Sequence, residues 1–210
     1  MRGADVTDAR GPAGPTARTA AAGQWRQLGQ VLGRGFQDDP VWQYLVPDER
    51  RRRRHVGAVF AALLRRRAAA GTTWTTSGLD GAAVWAGPDE WRTPWWDIVG
   101  HAPTILRGFG LTGVARALRS LSAIESGHAD EPHWYLEFLA TEPDRRGRGV
   151  GSALMAPVLE RCDDEGVGAY LESSKEANLA FYGRAGFEVT EEFALGPDGP
   201  PVWRMWRDPR

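Results

Sequence analysis

Arg146-Gly147-Arg148-Gly149-Val150-Gly151-Ser152 lies between an apolar stretch, His133-Trp134-Tyr135-Leu136-Glu137-Phe138-Leu139-Ala140-Thr141, and a helical one that runs on through Ala153-Leu154-Met155. Glycines at alternate positions free the backbone for conformations other residues avoid and remove the Cβ atoms that would obstruct a ligand. Several N–H groups can then converge on one anion. A helix starting near Gly151 adds unpaired amides and the positive end of its dipole, and Arg145, Arg146 and Arg148 raise the local potential. A pyrophosphate suits such a turn. Two rival readings stand beside it. One is a strand-to-helix turn without a ligand; the other is a dinucleotide turn. The latter wants G-x-G-x-x-G and an acidic residue roughly 20 positions later, whereas the glycines here run G-x-G-x-G with arginine first. It fits poorly.

Outward from the turn, the pattern stays regular toward the C-terminus. Helix SALMAPVLERCDDEG (152–166) has Pro157 on its second turn, a site for a local kink. Strand GAYLESS (168–174), helix KEANLAFYGRAG (175–186), and strands FEVTEEF (187–193) and PVWRMWR (201–207) follow, the last two separated by LGPDGP. This β–α–β–α–β order makes the chain α/β. Toward the N-terminus, Trp25, Leu28, Leu32 and Phe36 repeat at helical spacing. After Asp39-Pro40 a second helical region carries Val56, Val59, Phe60, Leu63 and Leu64 as its apolar stripe. TTWTT (72–76) and AAVWA (82–86) flank a Gly-rich SGLDG and predict a β-hairpin. Thr16–Ala20 reads as a short first strand, and residues 1–15 as a disordered lead-in to a single domain over 16–210. The stretch 87–130 is less regular, with helical segments near 95–109 and 112–125; SGHADEP (126–132) follows as a mobile connection.

A second cluster lies downstream. Asn178 and Tyr182 are four residues apart and share one face of a helix. Gly186 suits the helix C-cap and Phe187 opens the next strand. Alone, this is also what an ordinary amphipathic helix with a half-buried tyrosine looks like.

Taken together, R-x-x-G-x-G after a strand and N-x-x-F-Y-x-x-x-G-F beginning 32 residues later resemble the GNAT superfamily of acyl-CoA-dependent N-acyltransferases. The C-terminal half is similar to the antibiotic-modifying branch that includes puromycin N-acetyltransferase, through His133-Trp134-Tyr135-Leu136, Gly149-Val150-Gly151-Ser152-Ala153, Tyr170-Leu171-Glu172-Ser173-Ser174 and Trp203-Arg204-Met205. The likeness is good over residues 131–207 and loose over 16–86. The stretch 87–130 departs from the pattern where the superfamily varies for its acceptors. The resemblance implies a mixed, mostly antiparallel central sheet with a splayed parallel strand pair and helices on both faces. It implies acetyl-CoA as co-substrate, no metal, and a small-molecule amine as acceptor; a peptide acceptor and a non-catalytic acyl-CoA sensor are the alternatives.

Residue roles follow from the same resemblance. The splayed strands become 133–141 and 168–174. Leu139, Ala140 and Thr141 offer backbone groups to the pantetheine arm, and a backbone N–H near Leu139 or Ala140 faces the developing oxyanion. Arg146, Gly147, Arg148, Gly149, Val150, Gly151 and Ser152 bind the pyrophosphate. Asn178 contacts the coenzyme arm, and Tyr182 protonates the leaving thiolate. Three residues compete as base: Glu137, which strand alternation puts on one face with Tyr135 and Leu139; Glu172 at the end of the neighbouring strand; and His133, placed at the start of its strand away from the thioester.

Bulk features exclude other classes. The 210 residues are 42% hydrophobic and 25% charged with a net charge of −1, so no global field favours nucleic acid or membrane. One cysteine, Cys162, fits a reducing compartment, and with no secretory h-region the cytoplasm is the expected location. It is read as a packed thiol rather than a nucleophile. Arg50–Arg54 and Arg65–Arg67 read as solvated helical faces. The four histidines show no ligand spacing. Ten tryptophans are a heavy load; Trp74, Trp85, Trp91, Trp95, Trp96 and Trp134 cluster around the irregular middle, either as core or as walls for an apolar amine. Nothing in the sequence specifies an oligomeric state.

Overall fold

The computed structural model describes residues 14–88, 90–92 and 99–210. Residues 1–13 of the expected lead-in, with Trp95 and Trp96, lie outside them. A seven-stranded sheet runs in the order β1-β2-β3-β4-β5-β7-β6. Its strands are β1 (Ala17–Thr19), β2 (Thr73–Thr76), β3 (Gly81–Ala86), β4 (His133–Thr141), β5 (Gly168–Ser173), β6 (Glu188–Ala194) and β7 (Pro201–Arg207). Only β4 and β5 pair in parallel; the other neighbours are antiparallel.

Helices cover both faces. On one side, α1 (Trp25–Gly35), α2 (Pro40–Leu45) and α3 (Glu49–Ala69) close over Ala82, Val84, Phe138 and Ala140. The predicted second helical region is thus two helices. Asp39 caps α2 by accepting from the Val41 and Trp42 amides, and Asp48 caps α3 by accepting from Arg51 N. Pro47, between them, has no amide to continue the first ladder. Glycines let α1 and α3 cross closely: a Cβ on Gly33 would sit 2.6 Å from the Gly57 Cα. Trp42 and Phe60 (ring centroids 4.3 Å) and Phe60 and Phe138 (5.1 Å, edge-on) fill the layer. Such pairs add about 0.5–1.5 kcal/mol each beyond burial.

The opposite face packs α5 (Val150–Glu165) and α6 (Leu179–Arg184) against Trp85, Trp134, Leu136, Leu171 and Met205. Pro157 lies inside α5, which runs on without a break. Cys162 is fully buried in this layer, where burial pushes its thiol up to about 12. A further helix, α4 (Ala102–Glu125), lies in the irregular middle. It bends at Gly110 (φ 66°), the junction between the two expected helical segments.

The basic runs depart from expectation. Arg52 and Arg67 are 6% and 4% exposed, not solvated. Arg52 donates to the carbonyls of Gln37 and Val46, closing the exit from α2, and Arg67 turns under the sheet toward Glu137. The other arginines of the two runs carry the solvated charge, apart from Arg66, which is held by neighbouring groups.

Candidate active site

Parallel pairing of β4 and β5 lasts four rungs, from His133↔Gly168 to Leu136↔Leu171. Beyond Leu136, β4 stays with β3, while β5 stays with β7 as far as Ser173↔Trp203. The strands therefore part at Glu137 and Glu172, leaving a wedge between them. A bulge lies at the same point: Trp85 opposes Leu136 and Val84 opposes Phe138, so Glu137 is an extra residue. It reverses the strand's alternation. Trp134, Leu136 and Leu139 face α5, whereas Phe138 and Ala140 face α1–α3. Glu137 and Leu139 consequently lie on opposite faces, contrary to the simple two-residue rhythm.

Backbone directions follow from the pairing beyond the bulge. The Glu142 amide donates to Asp80 O on the β3 side (2.8 Å), so Ala140, two residues back and opposite Ala82, also points toward β3. Leu139 and Thr141 therefore turn their backbone groups into the wedge.

After β4, a single 3₁₀ turn (Pro143–Arg145) leads into the glycine bend. Gly147 and Gly149 adopt φ of 74° and 78°, the left-handed region that favours glycine. A Cβ on Gly147 would meet nothing within 4 Å, so conformation rather than crowding demands the residue. No side chain caps α5, and its first backbone bond runs from Ala153 N to Gly149 O. The Val150, Gly151 and Ser152 amides are the unpaired donors of that first turn. A Cβ on Gly151 would stand 3.1 Å from Phe181 and 3.9 Å from Leu139, so α5, α6 and β4 converge here. Arg148 is exposed. Arg146 is committed differently: it donates to Gly35 O (2.8 Å) and Asp38 (3.0 Å), tying the bend to the end of α1. Asp38 also meets Lys175 at 3.0 Å.

Asn178 and Tyr182 bracket the short α6, Asn178 as its N-cap residue. Tyr182 is 8% exposed and packs against Phe181 and Phe187. Burial first, and the nearby Asp39 carboxylate second, hold its phenol above the ordinary range. Asp39 is itself buried and accepts from the Ser174 hydroxyl at the end of β5. Its carboxyl is raised by burial, against the opposing hydrogen bonds.

At the mouth of the wedge on the α3–α4 side the three candidate bases meet different fates. Arg67 grips both oxygens of Glu137, at 2.9 and 2.6 Å. Glu172 keeps a buried oxygen, Oε1, with no hydrogen-bond partner among the described residues. His133 is linked toward it through His128: the two Nε2 atoms are 3.0 Å apart, and His128 Nδ1 stands 3.6 Å from Glu172 Oε1. Trp91 stacks on His128 at 3.8 Å, and Tyr135 and Tyr170 meet its ring edge-on. Both phenols are raised by burial and then by the Glu172 charge. Of the tryptophans expected around the middle, Trp85 and Trp134 are core, Trp74 packs against it and Trp91 joins this cluster, where Trp206 also meets His133 edge-on at 5.7 Å.

Arg67, His128, Tyr135 and Tyr170 were not among the sequence candidates. Two-residue spacing from Glu137 and Glu172 marks the tyrosines. Nothing periodic marks His128, within SGHADEP, or Arg67, at the end of a basic run.

A sheet that opens between its parallel pair, above an uncapped helix N-terminus, is the arrangement that the resemblance implied for an acyltransferase of the acyl-CoA type. The sequence model of the Acetyltransferase (GNAT) family matches residues 73–187, and the chain belongs to that family. An uncharacterized N-acetyltransferase of Schizosaccharomyces pombe (strain 972) is 25% identical over 206 residues, 92% of this chain and 83% of its own length. Among solved structures, the histone acetyltransferase HPA2 and related acetyltransferase of Corynebacterium glutamicum aligns over 94% of this chain and 98% of its own at 25% identity and TM-score 0.70. The Drosophila melanogaster polyamine N-acetyltransferase, which forms N-acetylagmatine, shares the fold at TM-score 0.59 and 16% identity over 92% and 99%. The protein is therefore a GNAT acetyltransferase, and its family generally uses acetyl-CoA.

Proposed function

We propose that the protein transfers acetyl from acetyl-CoA directly to the amine of a small molecule. One observation carries the reading: a single wedge joins an uncapped helix start at one end to a buried carboxylate oxygen, unpartnered among the described residues, at the other. The amides of 150–152, with the left-handed glycines 147 and 149 and the free Arg148, receive the pyrophosphate. Arg146 acts indirectly, by fixing the bend. Asn178 contacts the coenzyme arm, and the inward backbone of Leu139 and Thr141 pairs with the pantetheine amides. The Leu139 N–H, rather than that of Ala140, faces the developing oxyanion.

The acceptor enters as an ammonium and loses one proton to Glu172. Its freed electron pair attacks the thioester carbonyl. On collapse the C–S bond breaks, Tyr182 gives its proton to the sulfur, and the second proton shed by nitrogen restores the phenol. Acetylamide, CoA thiol and one released proton balance the equation. Glu137, neutralised by Arg67, shapes the site without accepting the proton. The support for a small acceptor is the cluster of Trp91, Tyr135 and Tyr170 around His128, together with the small-amine substrate of the Drosophila neighbour.

Calorimetry with acetyl-CoA, followed by thiol release with aliphatic amines, aromatic amines and peptides, tests the reading. Binding with small-amine-dependent release is expected. Release with peptides alone makes the acceptor a polypeptide, binding without release makes the protein a sensor, and absence of binding removes the coenzyme site.

A further inference from the structure

His133 Nδ1 lies 2.6 Å from the carbonyl oxygen of Glu131. A carbonyl only accepts, so His133 carries its proton on Nδ1. Neutral His133 then presents a bare Nε2, and the 3.0 Å contact with His128 requires the hydrogen on His128 Nε2. In the neutral ring that leaves His128 Nδ1 as a lone pair, 3.6 Å from Glu172 Oε1, with neither atom partnered among the described residues. The side chains are 1% and 7% exposed. Burial lowers His133's affinity for a second proton, which favours the neutral form. Two buried acceptors face each other with no hydrogen between them, although the protonated Tyr135 and Tyr170 hydroxyls stand beside the same carboxylate.

We infer that Glu172 and His128 form one proton-accepting unit for the acceptor amine, and that Glu131 O and His133 fix the tautomer that keeps its His128 end open. This rests on the acetyl-transfer reading above. The ammonium N–H bond breaks, its electrons remain on nitrogen, and Glu172 Oε1 takes the proton. Shared with His128 Nδ1, it converts the bare contact into an N–H···O bond between imidazolium and carboxylate, and it leaves for solvent after turnover. Glu172 is the catalytic group; His128 and His133 are positioning residues that act through it.

Among the described residues no other charged or titratable neighbour donates to His128 Nδ1 or Glu172 Oε1. On β4, Tyr135 keeps its proton and Glu137 is neutralised by Arg67 of α3. On β5, Tyr170 keeps its proton, held by burial and by the Glu172 carboxylate that its hydroxyl approaches. Arg204 of β7, directly across from Glu172, donates through Nη1 and Nη2 to Glu191 of β6 and to Ala123 O at the end of α4, and its buried Nε has no partner among the described residues. Among the described residues no three His, Cys, Asp or Glu side chains converge as ligands for a metal ion.

Nitrogen-15 NMR of the histidine-labelled full chain reads the tautomers without any variant. One buried histidine should show protonated Nε2 and bare Nδ1, and the other the reverse; two buried rings of the same tautomer overturn the inference. Kinetics supply the second arm. His128→Gln should lower kcat/KM for the amine on the order of 10²-fold near neutrality, with the deficit shrinking as pH rises and the amine arrives already deprotonated. His133→Gln, whose side-chain oxygen still accepts from His128, should retain most activity, while His133→Phe should not. Acetyl-CoA affinity should be unchanged in all three. A His128→Gln profile parallel to wild type at every pH overturns the inference while leaving acetyl transfer standing. Failure of the wild type to bind acetyl-CoA or acetylate any amine instead removes the function on which the inference rests.

Discussion

Arg67 meets Glu137 through both carboxylate oxygens, and its Nη2 donates on to the Glu90 carbonyl at 2.9 Å. One side chain from the end of α3 thereby fixes the bulge of β4 and the loop that carries Trp91. The pair is 4% and 12% exposed. Removing one member of such a buried pair typically costs about 3–5 kcal/mol, because the other is left charged and unpaired. Urea denaturation of Arg67→Ala should show a loss of that order, and the double variant Arg67→Met/Glu137→Leu should recover much of it. A loss under ~1 kcal/mol for Arg67→Ala would mean that solvent replaces the arginine there.

Glu137→Gln and Glu172→Gln should behave differently. The first keeps a carbonyl for Arg67 and should affect stability more than the chemical step. The second should reduce kcat by roughly 10²-fold or more at neutral pH, as expected for loss of a general base. Steady-state kinetics on both, beside thermal melts, separates the two carboxylates.

Tyr182→Phe should lower kcat by about 10²–10⁴-fold while leaving the dissociation constant for acetyl-CoA nearly unchanged. Burial and Asp39 keep the phenol protonated throughout the neutral range, so the wild-type rate should show no loss from tyrosinate formation below pH 10. Unchanged turnover in Tyr182→Phe would assign thiolate protonation to solvent.

Asp38 links Arg146 to Lys175, and the Arg146 hydrogen bond foremost holds its carboxyl down to about 2 from an ordinary 3.8. A depressed carboxyl stabilises the fold above its unfolded value and loses that contribution as pH falls through its folded one. The stability difference between wild type and Asp38→Asn should therefore be present above about pH 4 and gone near pH 2. The groups are roughly half exposed, so the difference should be ~1 kcal/mol or less. Chemical denaturation across pH 2–7 checks the sign and the window.

Cys162, fully buried with its thiol pushed up to about 12, should resist thiol reagents at pH 8 in the native protein. It should react stoichiometrically once the chain is unfolded. Fast labelling of native protein would mean that α5 opens readily.

Hairpin, glycine bend and C-terminal β–α–β order were legible because each has a local signature: alternation, punctuation or a cap. The wedge was legible only through resemblance, since divergence after Leu136↔Leu171 depends on which partner each strand keeps. The bulge at Glu137 left no local mark; nothing in Leu136-Glu137-Phe138 shows that one residue is supernumerary. Arg67 and His128 were hidden for opposite reasons. The arginine sits in a run whose neighbours are solvated, and the histidine sits in a connection without period. Both acquire their roles from groups distant in sequence, Glu137 for one and Glu172 for the other.

The supernumerary residue in β4 also sets a rule for redesign. Pairing that residue off, by adding one to β3 between Val84 and Trp85, would restore a plain rhythm and send Phe138 and Leu139 to each other's layers. The hydrophobic interior would then have to be rebuilt on both faces to keep the coenzyme's seat. Lengthening the loop after Glu125, by contrast, would shift only the imidazole end of the proton acceptor. Acceptor chemistry is the adjustable half of this molecule, and the bulged strand is the half that resists revision.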